Sequence, residues 1–379
     1  MRGRIGTVAV IIAGGVAPVV GAEVSSAGSA QPDGAVAVFP GAEWETTTPE
    51  AAGMDGATLE ALAAEAEALN SNCMLVVRHG RIVAEWYWQD TTPESTQEVW
   101  SASKSVTSAL VGIAAEDTGN PGVDLEITDS ASLYIPEWAG TDAAAVTVEN
   151  LLSNDSGREW SFALDYSEMA VNADDKSAFS IALDQEYPPG ETWTYNNAAI
   201  QTLSEVLQAS TGVEPADFAE EHLFGPIGMR ASDVTKDRAG NTLTFMGVRS
   251  TCRDMARFGL LYLNDGNWDG TQVVPTDWVE ASVGAPSTEL NAGYGYLWWL
   301  NRAGPQVNPA ASPADQEERI GQAVPSAPDD MYWAIGMGSQ IVQVDPGSDT
   351  VVVRLGPADF RPVFGARNTA RVVTEAIID

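Results

Sequence analysis

The segment VWSASKSVTSALVGI, residues 99–113, sets Ser101 three places ahead of Lys104. A serine hydroxyl is a weak nucleophile until a neighbouring base takes its proton. Lysine can be that base once its ammonium form is made unstable. Residues i and i+3 share one face of a helix, so Lys104 can reach Ser101. Ser101 also falls at the start of the helical pattern, where free N–H groups and the positive dipole end favour a developing alkoxide. The chain has 27 serines and 3 lysines in 379 residues, so chance supplies about 0.2 such pairs. Taken alone, the pair reads as well as an N-cap serine and a surface lysine.

Two other segments agree with the chemical reading. PPGETWTYNNAAIQTLSEVL carries Tyr195-Asn196-Asn197 on a turn that leads into a helix. A phenol there can hand a proton to a leaving group, and the Asn197 amide can anchor substrate and lysine. AIGMGSQIVQV carries Gly336, Met337, Gly338 and Ser339 on a late strand. Small residues let a strand backbone approach closely, so the N–H of Ser339 can join that of Ser101 as an oxyanion hole.

Competing chemistries find little support. His79 and His222 are the two histidines, and neither belongs to a paired metal-ligand pattern. There is no G-x-S-x-G elbow for a Ser-His-Asp triad, no phosphate-binding P-loop and no G-x-G-x-x-G loop. No metal or cofactor is expected. With 53 acidic residues, no carboxylate pair is singled out by its spacing.

The elements that must hold these residues follow from periodicity. DGATLEALAAEAEAL from Asp55 is a capped helix. CMLVVRHGRIVAEWYW is a hairpin turning at His79-Gly80. Helical patterns cover 101–116, 147–153, 175–186, 197–211, 250–264 and 275–283. Strands return at 294–302, 331–344 and 350–356, and a helix closes the chain. This order predicts an α+β fold, with an antiparallel sheet drawn from both chain ends and a helical lobe, roughly 115–250, inserted. Residues 303–330 read as a long loop, either disordered or a flap over the site.

A formal charge of −34 repels phosphates and anionic lipids, so neither nucleic acid nor membrane surface is expected as a partner. Arg2 and Arg4 precede an apolar run ending in the small residues Val20-Gly21-Ala22, the three parts of a secretory signal peptide over 1–22. Residues 23–43 read as a flexible lead-in, and 44–379 as the domain. Secretion permits disulfides. Cys73 and Cys252 read either as one staple or as two separate buried thiols; pairing is the reading tested below. A monomer acting on a small ester or amide is expected.

Seven segments in order carry a family resemblance: TPEAAGMD, VWSASKSVTSALVGIA, VTVENLLSNDSG, YPPGETWTYNNAAIQTLSEVL, LFGPIGM, STCRDMARFGLLYLNDG and YGYLWW. Over about residues 44–379 the chain resembles the serine β-lactamase and penicillin-binding-protein superfamily. The likeness is nearer to its class C-like branch of esterases, D-aminopeptidase-like enzymes and 6-aminohexanoate-oligomer hydrolases. The resemblance implies a five-stranded antiparallel sheet flanked by helices, plus an all-helical lobe, with the site between them. It implies Ser101 as nucleophile, Lys104 as base, Tyr195 as general acid/base and a supporting Asn197. Trp160 and Tyr166 lie in a segment that resembles the substrate-facing loop of this branch. Where the β-lactamase third motif reads Lys-Thr-Gly, the positions matched here read Gly336-Met337-Gly338. That change favours esters and linear amides over β-lactams or D-Ala peptides. A catalytically silent cell-wall binding protein is the remaining alternative, and the complete Ser101, Lys104 and Tyr195 set argues against it.

Overall fold

The computed structural model describes residues 37–116, 121–317, 319–358 and 363–378. The signal-peptide reading of 1–22 lies outside the described residues, as does the lead-in through residue 36.

Asp55 starts helix α1 (Gly56–Ala68) by accepting the Thr58 N–H at 3.1 Å. Strands β1 (Cys73–Arg78) and β2 (Arg81–Tyr87) follow. They turn through His79 and Gly80, whose φ angles of 53° and 72° suit the twist of a two-residue hairpin. Helix α2 (Ser103–Glu116) carries Lys104, and a single 3₁₀ turn, Trp100–Ala102, leads into it with Ser101 at its centre.

The late strands are β3 (Trp299–Leu300), β4 (Tyr332–Gly336), β5 (Gln340–Asp345) and β6 (Thr350–Leu355). The sheet runs β2-β1-β6-β5-β4-β3, with every neighbouring pair antiparallel. Both chain ends therefore build one sheet. It has six strands where the sequence predicted five, because 331–344 is a hairpin and not one run. Gly338 and Ser339 take φ of 76° and 58° at the bend. The strand expected over 294–302 shortens to β3.

Side chains alternate across the sheet as the two-residue period requires. Cys73, Leu75 and Val77 join the large core that holds α2 and helix α4 (Cys252–Leu263). Met74 and Val76 face the other way, onto α1 and the closing helix α5 (Ala366–Ala376). Gly259 lets α4 lie close on the sheet: a Cβ there would come within 2.6 Å of Val351 Cγ1 and 2.9 Å of Val342 Cγ1.

Between residues 121 and 250 helices are the main regular structure, including Val148–Ser153, Lys176–Ile181, α3 (Asn197–Gln201) and Leu203–Thr211, joined by long turns. The helix predicted over 197–211 breaks at Thr202, whose hydroxyl bonds back to Ala199 O at 2.6 Å. A small sheet pairs Gln97–Glu98 with Val248–Ser250 and that in turn with Asp233–Val234.

Two stretches expected to be loose are fastened. Residues 303–330 contain a hairpin of Gly304–Gln306 with Arg319–Gly321. The buried Asn301 amide holds the Val324 and Pro328 carbonyls beside it, at 3.0 and 2.8 Å. Near the domain start, the Arg257 guanidinium bonds the Pro40 and Gly41 carbonyls, and Phe39 packs on Trp268 at 5.2 Å.

Cys73 opens β1 and Cys252 opens α4, and the two form a disulfide spanning a separation of 179 residues. Intact mass under non-reducing denaturation should therefore find no free thiol. Replacing both cysteines by serine should lower unfolding stability, by at most about 4–5 kcal/mol in the chain-entropy picture. Two free thiols in native protein would contradict the pairing.

Candidate active site

Lys104 lies on the second residue of α2 and is 1 % exposed. Its Nζ has three partners: Asn197 Oδ1 at 2.7 Å, Phe245 O at 2.9 Å and Ser101 Oγ at 2.9 Å. The first two can only accept. A neutral amine has two N–H bonds and one lone pair, so both N–H bonds are used and the lone pair is left for the Ser101 hydroxyl. Burial, opposed by the charge of Asp165, brings the Lys104 pKa down to about 7.

Each acceptor is held by its own element. Phe245 belongs to a strap laced to α2: Thr107 Oγ1 donates to Thr244 O at 2.7 Å, and Ser103 Oγ accepts the Val248 N–H at 2.9 Å. Asn197 opens α3, which Asn196 caps by accepting the Ala199 N–H at 2.9 Å.

Tyr195 stands just before that cap. The Thr194 and Asn196 N–H groups on either side of it both bond Asn154, at 2.8 and 3.2 Å. The Tyr195 ring packs between Tyr294 and Trp299, with Lys104 Nζ 4.7 Å from its centroid. Burial pushes the phenol pKa well up, and the Ser101 hydroxyl pulls the other way. Tyr195 therefore keeps its proton at neutral pH and is poised to give it rather than take one. Gln316, from the 303–330 segment, donates to Trp193 O at 2.6 Å, so that segment leans on this wall.

Gly336 lies against the serine turn. A Cβ there would be 2.1 Å from Val99 O and 3.1 Å from Ala102 N, both backbone atoms. No side chain fits. The position matched to the third-motif lysine therefore has no room for a lysine side chain in this chain. Met337 follows Gly336 directly and is half exposed. Gly338 and Ser339 stand farther round the bend, where their carbonyls are held by Arg354.

Of the residues expected to face substrate, Trp160 is buried and its indole N–H bonds Asp165 Oδ2 at 3.2 Å. Tyr166 is partly exposed and stacks on exposed Phe162 at 4.6 Å. The residue that sequence reasoning missed is Asp165. It is fully buried and takes the Asn197 amide at 2.7 Å. Its only signal was the DYS string beside Tyr166, one acid among 53.

The family pattern described as Beta-lactamase matches residues 58–374. The chain is 25% identical over 307 residues to a 6-aminohexanoate-dimer hydrolase of Paenarthrobacter ureafaciens, covering 75% of this chain and 72% of that protein. It is 27% identical over 176 residues to a D-aminopeptidase of Cereibacter sphaeroides, 43% of this chain and 32% of that one. A solved Bacillus anthracis structure that carries the 6-aminohexanoate-dimer hydrolase name shares the fold, with a TM-score of 0.67, 20% identity and 89% and 86% coverage.

A base with a pKa of about 7 must be neutral to accept a proton, so kcat/KM should rise with pH through about 7 and then level. Lys104→Arg keeps a cation but offers no lone pair; it should lose at least about 10³-fold in kcat while still folded. Turnover at the wild-type level in Lys104→Arg would remove the lysine from this role.

Proposed function

The chain belongs to the beta-lactamase family, whose members here are serine hydrolases, and on that premise we propose that it cleaves esters or linear amides through an acyl-enzyme on Ser101. The observation that carries this reading is the Lys104 amine, with both its N–H bonds committed to acceptors and its third contact on Ser101 Oγ. Ser101 Oγ attacks the substrate carbonyl carbon as its proton passes to Lys104 Nζ. The negative charge that develops on the carbonyl oxygen is met by backbone N–H groups of Ser101 and of the 337–339 bend. Gly336 contacts the serine turn, and this favours its direct neighbour Met337 over Ser339 as the second donor. Tyr195 then gives its proton to the departing alkoxide or amine and is reprotonated from Lys104. Water reverses the sequence: it attacks the acyl carbon, its proton enters the same pair, and Ser101 leaves with a proton restored.

The substrate class follows from what surrounds this centre. Gly336, matched to the third-motif lysine, has no side chain with which to grip a carboxylate. Aromatic rings of Tyr195, Tyr294 and Trp299 pack together beside the lysine, and Met337, next to Gly336, is half exposed. An uncharged acyl group suits these surroundings better than the carboxylate of a β-lactam or a D-Ala peptide. The disulfide supports work outside the cytoplasm, and among the described residues no helix is long and apolar enough to cross a membrane.

A fluorophosphonate should attach once, on the peptide bearing Ser101, and Ser101→Ala should abolish both label and turnover; labelling elsewhere would sink the assignment. A p-nitrophenyl short-chain ester should have a kcat/KM at least ~100-fold above that of a cephalosporin. A missing charge-assisted contact costs roughly 1.5–3 kcal/mol, and each 1.36 kcal/mol is about tenfold. Equal rates would return the β-lactamase reading to first place.

A further inference from the structure

We propose that Asp165 is a positioning residue for the base: it holds the Asn197 amide with its oxygen toward Lys104, and it supplies the negative charge against which the Lys104 ammonium forms. This rests on Lys104 being the base.

The hydrogen bonds around Asp165 run one way. Its Oδ2 accepts from Trp160 Nε1 at 3.2 Å, Asn197 N at 3.2 Å and Asn197 Nδ2 at 2.7 Å, and its Oδ1 accepts from Ala198 N at 2.9 Å. All four neighbours are donors with nothing to accept. A protonated carboxyl would turn an O–H into that ring with no partner, whereas the ionised form is acceptor-only and fits it. Burial raises the Asp165 pKa above the ordinary carboxylate range, and the Ala198 and Asn197 donors and the Lys104 charge oppose that rise without cancelling it; the case for the ionised form is the ring of donors.

An amide has two unlike ends. With Nδ2 on Asp165, Asn197 must present Oδ1 to Lys104, as it does at 2.7 Å. A flip would set N–H against N–H on one side and oxygen against carboxylate on the other. Asp165 therefore decides which group Lys104 meets, and so where the lysine lone pair points. When Ser101 gives up its proton, the Oγ–H bond breaks and a third N–H forms on Nζ, which becomes a cation. Asp165, one amide away, is the carboxylate whose charge acts on it. The other titratable groups facing this spot are the Tyr195 phenol, against the lysine, and the Tyr166 phenol, which shares Asn197. Both phenols are raised by burial and stay neutral where the lysine titrates. Asp165 also sits inside the wound segment Ala163–Asn172, so the same carboxylate ties the Phe162–Tyr166 lip to α3.

The test is Asp165→Asn in the full chain. Removing the negative charge makes the ammonium less favourable, so the acid limb of kcat/KM should move to lower pH by about half a unit or more. A less basic lysine is also a poorer base, so kcat should fall roughly 10–100-fold with KM within about threefold. Asp165→Glu should bring the limb back toward its original pH even if its rate is reduced. A purely structural residue would lower the burst-titrated fraction of active enzyme and leave the limb where it was. An unmoved limb, or one displaced upward, overturns the proposal; if Lys104→Arg is inactive in the same assay, the reading of Lys104 survives that failure. Neutron diffraction of perdeuterated wild type keeps the question open to decision should the variants not fold. It should show both Asn197 deuterons on the nitrogen facing Asp165 and none on the Asp165 carboxylate. A deuteron on Asp165, or an Asn197 amide turned the other way, would contradict it.

Discussion

The structure is organised around one buried amine. Lysine is among the costliest side chains to enclose, and a charged one without a direct counter-ion is costlier still. Lys104 meets that constraint by losing its charge and not by pairing directly with a carboxylate. Two carbonyl-type oxygens satisfy its N–H bonds, and each oxygen is itself fixed from behind: Phe245 O by the strap stitched to Ser103 and Thr107, and Asn197 Oδ1 by Asp165. If either support is removed, the amine can turn, and its lone pair no longer faces Ser101.

The sheet serves the same centre from the other side. Its core strands bring both chain ends together, and the disulfide fastens β1 to α4. This leaves β4 with Gly336 pressed on the backbone of residues 99–102. Any side chain at 336 would displace the 3₁₀ turn that carries Ser101. The glycine is a steric requirement.

What could be read from the sequence was what is local. Ser101 and Lys104 are three residues apart, on a 3₁₀ turn and the α-helix it leads into, Asp55 caps its own helix, and His79-Gly80 turns its own hairpin. Each of these depends on neighbours in the chain. Asp165 could not be read, because its meaning lies in an amide 32 residues away and in a π-wound segment with no helical period. The β4–β5 bend was hidden inside the strand-like run 331–344, where the small residues at the turn looked like strand glycines. The order in 303–330 escaped because its strands are three residues long, contain Gly and Pro, and are secured by Asn301 from outside the segment.

The central claim, that Lys104 is a neutral amine near physiological pH, can be observed without any substrate. The chain has only three lysines, Lys104, Lys176 and Lys236, so selective labelling with ¹⁵Nζ,¹³Cε-lysine gives a spectrum that can be assigned by single substitutions. The account predicts one resonance that titrates at about 7 and is missing from Lys104→Arg. If the Lys104 resonance instead titrates near the ordinary lysine value of about 10.4, Lys104 is a cation at neutral pH and cannot be the base described here.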